Sequence, residues 1–121
     1  RCTQETEDPY SEDCLYLNVF TPHTKSIEHS SYPVLVIIHG GAFATGGARN
    51  QGTPQHISRN IVSRGVIVVV IQYRVGPLGF CTTGDDEMKG NYGLWDVTLA
   101  LKWIKDHIGQ FGGNPVSIFL L

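Results

Sequence analysis

VLVIIHGGAF, from Val34 to Phe43, carries a continuous apolar segment straight into His-Gly-Gly. With Pro33 in front, PVLVII is a short, β-branched run without polar alternation, the pattern of a strand buried on both faces. Its ending is the informative part. Glycine loses more chain freedom on folding than any other residue, so a Gly-Gly pair directly after a strand implies that the backbone itself is used there, in a tight turn or for close approach of another group.

Outward from this segment the same pattern repeats. VIVVVI (Val66 to Ile71) and VSIFLL (Val116 to Leu121) read as further buried strands, while LYLNVF (Leu15 to Phe20) alternates and reads as a half-buried strand closed by Thr21-Pro22. Polar residues from His23 to Ser31 form a connecting loop. Pro54 to Arg64 is expected as a short helix stopped by Gly65. From Tyr92 to Ile108 the helical signal is stronger: Leu94, Val97, Leu101, Ile104 and Ile108 recur at three and four residues, Lys102 and Asp106 are spaced to pair, and Gly109 follows as a stop. Gly112 to Pro115 is expected as a turn. Strands alternating with helices give an α/β fold with a mostly parallel central sheet and crossover helices. In such sheets chemistry gathers beyond the carboxyl ends of the strands, where the HGG pair stands.

Composition narrows the function. The 121 residues are 41% hydrophobic and 17% charged with a net charge of −2, about one small domain. Nine basic against eleven acidic residues, with no basic run interleaved with aromatics, exclude nucleic acid as an expected partner. No apolar run approaches the ~20 residues of a transmembrane segment. The chain opens on Arg1 without a methionine or a signal-like segment, so it is expected to be a piece of a longer protein with any signal peptide upstream. Three cysteines lack zinc-site spacing and the five histidines are scattered, so no metal is expected.

Backbone N–H groups at an HGG turn can hold a developing oxyanion; a plain tight turn is the competing reading. A phosphate loop is excluded, because GGAFATGG (Gly40 to Gly47) has neither the GxxxxGK[ST] spacing nor a lysine.

The chain also carries EDCLYLNVFTP (Glu12 to Pro22), HGGAFATGG (His39 to Gly47), YRVGPLGF (Tyr73 to Phe80), TTGDDEMKGNYGLWD (Thr82 to Asp96) and FGGNP (Phe111 to Pro115), in that order. Together these closely resemble the type-B carboxylesterase/cholinesterase family of α/β hydrolases over nearly the whole chain. The resemblance implies the amino-terminal part of the α/β-hydrolase fold and a serine esterase: an acyl-enzyme on Ser, a His base oriented by Asp or Glu, and oxyanion donors from the HGG turn. By position those donors are the N–H groups of Gly41 and Ala42, with Gly40 shaping the turn. Many members have a third glycine where Ala42 stands; at negative φ the alanine N–H is expected to stay available.

The family resemblance assigns other residues too. Cys2 and Cys14 match paired cysteines that close the first loop, a disulfide worth roughly 2–3 kcal/mol that implies an oxidising compartment, secreted or in the endoplasmic reticulum lumen; two unpaired thiols are the alternative. Cys81 is expected as a small buried side chain. Arg74 and Asp96 fit a buried ion pair behind the site, against two solvated charges worth under ~1 kcal/mol. Phe43 and Phe80 fit an acyl or leaving-group pocket or ordinary core packing equally well. Trp95 and Trp103 are expected to pack, and adjacent Glu12 and Asp13 to serve a structural role near the first disulfide rather than an acid–base dyad. The substrate implied is a small-molecule carboxylic ester, and no cofactor is implied. Substrate identity and oligomeric state are not legible.

The nucleophile is the missing part. In the family, FGGNP and the next strand lead into G-x-S-x-G, expected here around Leu120, where Leu120-Leu121 stand instead. Residues 1–121 are therefore expected to be a partial carboxylesterase domain truncated before the nucleophile elbow, inactive alone. Ser117 in a strand, Ser63 at a helix end and His39 in the turn offer no substitute nucleophile–base pair, and His39 is expected to be structural. The leading reading is a carboxylic ester hydrolase. The alternatives are a catalytically dead cholinesterase-like binding or adhesion protein, and a non-functional product whose open edge at Val116 to Leu121 is aggregation-prone.

Overall fold

A computed structural model describes residues 2–4, 10–23 and 31–121. Most of the loop expected over 23–31 therefore lies outside the described residues. Four strands, β1 (Leu17–Phe20), β2 (Tyr32–Ile38), β3 (Ile67–Ile71) and β4 (Gly113–Leu120), form one sheet in the order β1-β3-β2-β4. Strand β2 is parallel to both β3 and β4, and β1 is antiparallel to β3. The expected α/β architecture with a mostly parallel sheet is present.

Burial explains the continuous apolar runs. Ile67, Val69 and Ile71 pack with Val34 and Val36 against Ile104 and Ile108 on one face of the sheet. Alternate residues Val68 and Val70 pack with Ile37 against Ile57 and Val62 on the other. Because strand side chains alternate between faces, a strand covered on both sides has no position left for a polar residue.

The helices differ from expectation in detail. Helix α1 (Pro54–Asn60) starts with Pro54 after Thr53, whose hydroxyl accepts from the His56 N–H at 3.3 Å. It breaks at Ile61 and continues as a 3-10 turn over Val62–Arg64, stopped by left-handed Gly65 (φ 81°). Helix α2 (Gly76–Phe80) was not expected from sequence, since five residues are too few for periodicity to register. Helix α3 (Tyr92–His107) carries the expected Lys102–Asp106 pair at 2.8 Å. It ends at His107, one residue short of the expected Ile108. Gly109 itself lies inside a 3-10 turn over Ile108–Phe111, which left-handed Gly112 (φ 81°) closes.

Beyond Gly112, β4 begins at once rather than after a turn through Pro115. A Cβ on Gly113 would sit 2.6 Å from Ile108 Cγ1 and 3.0 Å from Val34 Cγ2, so only glycine passes between the 3-10 turn and β2 here. Strand β4 is also not buried on both faces as expected: Val116 is 89% and Phe119 61% exposed, because among the described residues β4 is an edge strand with β2 as its sole neighbour. Trp95 likewise lies exposed on the outward face of α3, and Trp103 stacks on His107 at 4.8 Å. Cys81, expected to be buried, is an exposed thiol beyond the end of α2.

Candidate functional site

The chain leaves β2 at Ile38 and enters a single left-handed turn. Gly41, Ala42 and Phe43 have φ of 132°, 53° and 60°, and the N–H groups of Ala44 and Thr45 both donate to the Gly41 carbonyl at 3.0 Å. Such a turn leaves its leading N–H groups without an internal partner, as at the start of any helix. Among the described residues nothing accepts from the N–H of Gly41 or Ala42, and residues 40 to 42 are exposed. Two neighbouring donors therefore stand unused at the carboxyl end of a parallel strand.

Two expectations need correction here. The φ of Ala42 is positive, because the turn closes onto the Gly41 carbonyl in the left-handed sense, with Phe43 left-handed beside it. The N–H stays available, but the methyl group is strained. Gly40, assigned the shaping role, meets nothing within 4 Å of an added Cβ, whereas at Gly41 a Cβ would lie 2.0 Å from the Thr45 oxygen. Gly41 is the residue the turn cannot replace. Non-glycine residues in left-handed backbone cost about 1–2 kcal/mol each, so Ala42→Gly is expected to raise stability by about 1 kcal/mol, read as a higher urea midpoint at unchanged slope.

The turn is braced from β3. Tyr73, directly beyond that strand, donates its hydroxyl to the His39 carbonyl at 2.8 Å and stacks on the His39 ring at 4.4 Å. Burial raises the Tyr73 phenol above its ordinary value, so it remains a donor through neutral pH. The Gly76 N–H donates to the Phe43 carbonyl at 2.6 Å, and the Ala48 N–H to Gln72 Oε1 at 3.0 Å. His39 itself is buried, and its Nδ1 lies 3.1 Å from the Gly40 carbonyl.

Arg74 and Asp96 form the expected ion pair, bidentate at 2.7 Å for both Nε–Oδ2 and Nη2–Oδ1, and the Arg74 N–H adds a third bond to Oδ2 at 3.0 Å. The carboxylate is buried and raises the guanidinium pKa by hydrogen bonding, while the arginine side chain is 38% exposed and lies 5.5 Å from the Tyr92 ring centroid. The pair is half-buried rather than fully enclosed. Its Arg74 carbonyl packs where Gly79 of α2 and Gly93 of α3 have no side chain, each Cβ position being 2.3 Å from that oxygen. Gly93 also makes room for the Phe80 ring. Phe80 in turn meets Phe43 with centroids 5.0 Å apart, so an aromatic pair borders the turn, Phe43 being 58% exposed.

Cys2 and Cys14 form a disulfide. Asp13 accepts from the Tyr16 hydroxyl at 2.6 Å beside it, a structural contact of the kind expected. Replacing both cysteines by serine is expected to lower stability by about 2–3 kcal/mol through regained unfolded-chain entropy, measured by urea denaturation with and without reductant. Sequence reading missed Gln4, Gly46, Gln72, Tyr73 and Gly76 as parts of the site. The glycines were visible inside the quoted motifs; Gln4 carries no local signal. No group of His, Cys, Asp and Glu able to hold a metal occurs among the described residues, and no described helix is long and apolar enough to cross a membrane.

Known proteins resemble this chain over nearly its whole length. The model of the family described as "Carboxylesterase family" matches residues 1–121. The bile salt-activated lipase of Bos taurus is 45% identical over 128 residues, covering 99% of this chain and 21% of the lipase. Esterase cest-33 of Caenorhabditis elegans is 46% identical over 117 residues, covering 94% of this chain and 21% of the esterase. The solved structure of PNB esterase superposes with a TM-score of 0.83 at 40% identity, covering 98% of this chain and 25% of that one. The chain thus spans about a fifth of the length of these curated relatives. Over the residues it does span, sequence, fold and family match coincide: the chain belongs to the carboxylesterase family.

Proposed function

We propose that residues 1–121 are the amino-terminal part of a carboxylic ester hydrolase domain, that the N–H groups of Gly41 and Ala42 are oxyanion donors, and that the nucleophile, acid and histidine lie outside these residues. The carrying observation is the left-handed turn with two unused, exposed donors after β2, in a chain of the carboxylesterase family. In acyl transfer a serine oxygen attacks the ester carbonyl, the carbonyl oxygen gains negative charge, and N–H donors fixed in advance stabilise it more than they stabilise the neutral substrate. Open space at Gly40 leaves that side of the turn bare for the ester to approach.

Strand β4 supports the reading. The Leu121 N–H donates to Val36 and its carbonyl accepts from Ile38, both at 2.9 Å, so residues continuing past Leu121 are delivered beside the His39 turn. A serine elbow there faces the donors. Phe43 and Phe80 then supply an apolar wall for the acyl or leaving group of a small-molecule ester. Serine, histidine, a carboxylate and backbone amides suffice for the reaction, so the mechanism uses no cofactor. A disulfide and the lipase and esterase relatives favour a secreted or lumenal protein.

Reading the transcript across the Leu121 codon tests this proposal. A serine at a strand-to-helix elbow within the next few residues is expected. A stop codon, or continuation without a serine there, contradicts it.

A further inference from the structure

We infer that Gln4 is a positioning residue for the oxyanion turn, a role that rests on the proposed ester hydrolysis and extends it to a segment far from the turn in sequence. Gln4 is 8% exposed, and its amide meets the Gly46 backbone in both directions. Nε2 donates to the Gly46 carbonyl at 2.7 Å and Oε1 accepts from the Gly46 N–H at 2.7 Å. A further Nε2 bond at 3.2 Å reaches the Cys2 carbonyl, so the side chain is anchored to the disulfide loop. Gly46 is the far wall of the turn: at φ 119° its Cβ position lies 2.3 Å from the Gly40 carbonyl and 2.6 Å from His39 Nδ1.

Gln4, Gly46 and the Gly40–Gly41 peptide are thus stacked without slack. A buried backbone N–H and C=O need partners, and one primary amide serves both at Gly46. Losing it leaves both groups unsatisfied next to the donors, and misplacement on the ångström scale is enough to weaken catalysis. Donors that act chiefly on the transition state affect kcat more than KM.

The test uses the full-length protein with Gln4→Met, which matches the shape without the hydrogen bonds, and Gln4→Glu. For Gln4→Met, amide hydrogen exchange of the peptide 39–47 is expected to rise about tenfold, each of the two lost Gly46 hydrogen bonds being worth roughly threefold, while peptides of β2 and β3 stay protected. In parallel, kcat is expected to fall about tenfold with KM little changed. In Gln4→Glu a protonated carboxyl reproduces the donor–acceptor pair and a carboxylate does not; burial against the Gly46 carbonyl holds that carboxyl above its ordinary pKa, so exchange relative to wild type is expected to be lowest at pH 5 and to rise toward the Gln4→Met level by pH 8. Unchanged exchange over 39–47 in both variants overturns the inference. So does raised exchange with wild-type kcat. A wild-type protein that does not hydrolyse esters refutes the functional reading separately, and the exchange result and its pH dependence still decide whether Gln4 holds the turn.

Discussion

Gly41→Ala is expected to lower kcat/KM for ester hydrolysis by the full-length protein by about 10²–10³-fold, comparable to deleting an oxyanion donor. The Cβ would sit 2.0 Å from the Thr45 oxygen and 2.7 Å from its carbonyl carbon, at φ 132° where an L-residue is already strained. Those Thr45 atoms are backbone, so no side-chain rotation relieves the contact. The turn must open, and opening it moves the Ala42 N–H, whose position depends on closure of residues 44 and 45 onto the Gly41 carbonyl. Gly40→Ala is the control for a general folding defect, because its Cβ meets nothing within 4 Å. It should leave stability within about 0.5 kcal/mol of wild type. Urea denaturation beside steady-state kinetics separates the two variants; near-wild-type kcat/KM in Gly41→Ala would remove the turn from the mechanism.

Arg74→Ala is expected to cost about 3 kcal/mol of folding stability, the lower end for breaking a buried ion pair. The asymmetry of the pair sets that figure. Asp96 has a 5% exposed side chain and loses two of its three hydrogen bonds, keeping only the Arg74 N–H. Arg74 is 38% exposed, so solvent already screens part of the interaction. Asp96→Asn should cost less, about 1–2 kcal/mol, since the amide oxygen still accepts from the Arg74 backbone and the charge left unpaired, on Arg74, reaches solvent. The order of the two variants in urea midpoint is the check. Equal losses would mean that the pair acts through packing alone.

The parts of this fold that were legible in the sequence are those set by local pattern. The apolar runs at Val34–Ile38 and Val66–Ile71 name their strands because both faces of the sheet are covered there: Val34, Val36, Ile37 and all of Ile67–Ile71 are buried, and Leu35 and Ile38 are half-buried. The three-four spacing of Val97, Leu101, Ile104 and Ile108 names α3 because that stripe faces the sheet. Where tertiary contact decides, the sequence misleads. Gly109 has open space and ordinary backbone and lies inside the 3-10 turn that follows α3, whereas Gly112 takes the left-handed conformation that ends that turn. Val116 and Phe119 look like core and lie exposed because burial depends on a neighbour across the strand edge, which is not a local property.

The site divides in the same way. HGG marks the turn, and family resemblance reached Arg74, Asp96, Cys2 and Cys14, all of which form the contacts it implies. The backbone of Ala42 was misread, because the hand of the turn that closes Ala44 and Thr45 onto the Gly41 carbonyl is not written in the residue type at position 42. Gln4 was invisible, since nothing in CTQ announces that its amide ends on Gly46, forty-two residues away.

The most direct measurement of the central claim is hydrolysis of a p-nitrophenyl carboxylate ester by the protein expressed from its full coding sequence, with mass mapping after treatment with a fluorophosphonate. Hydrolysis that stops on stoichiometric labelling of one serine beyond Leu121, and that falls at least a hundredfold in Gly41→Ala, is the predicted result. A folded full-length protein that neither hydrolyses the ester nor takes the label would contradict the account and leave the fold to a binding or adhesion role.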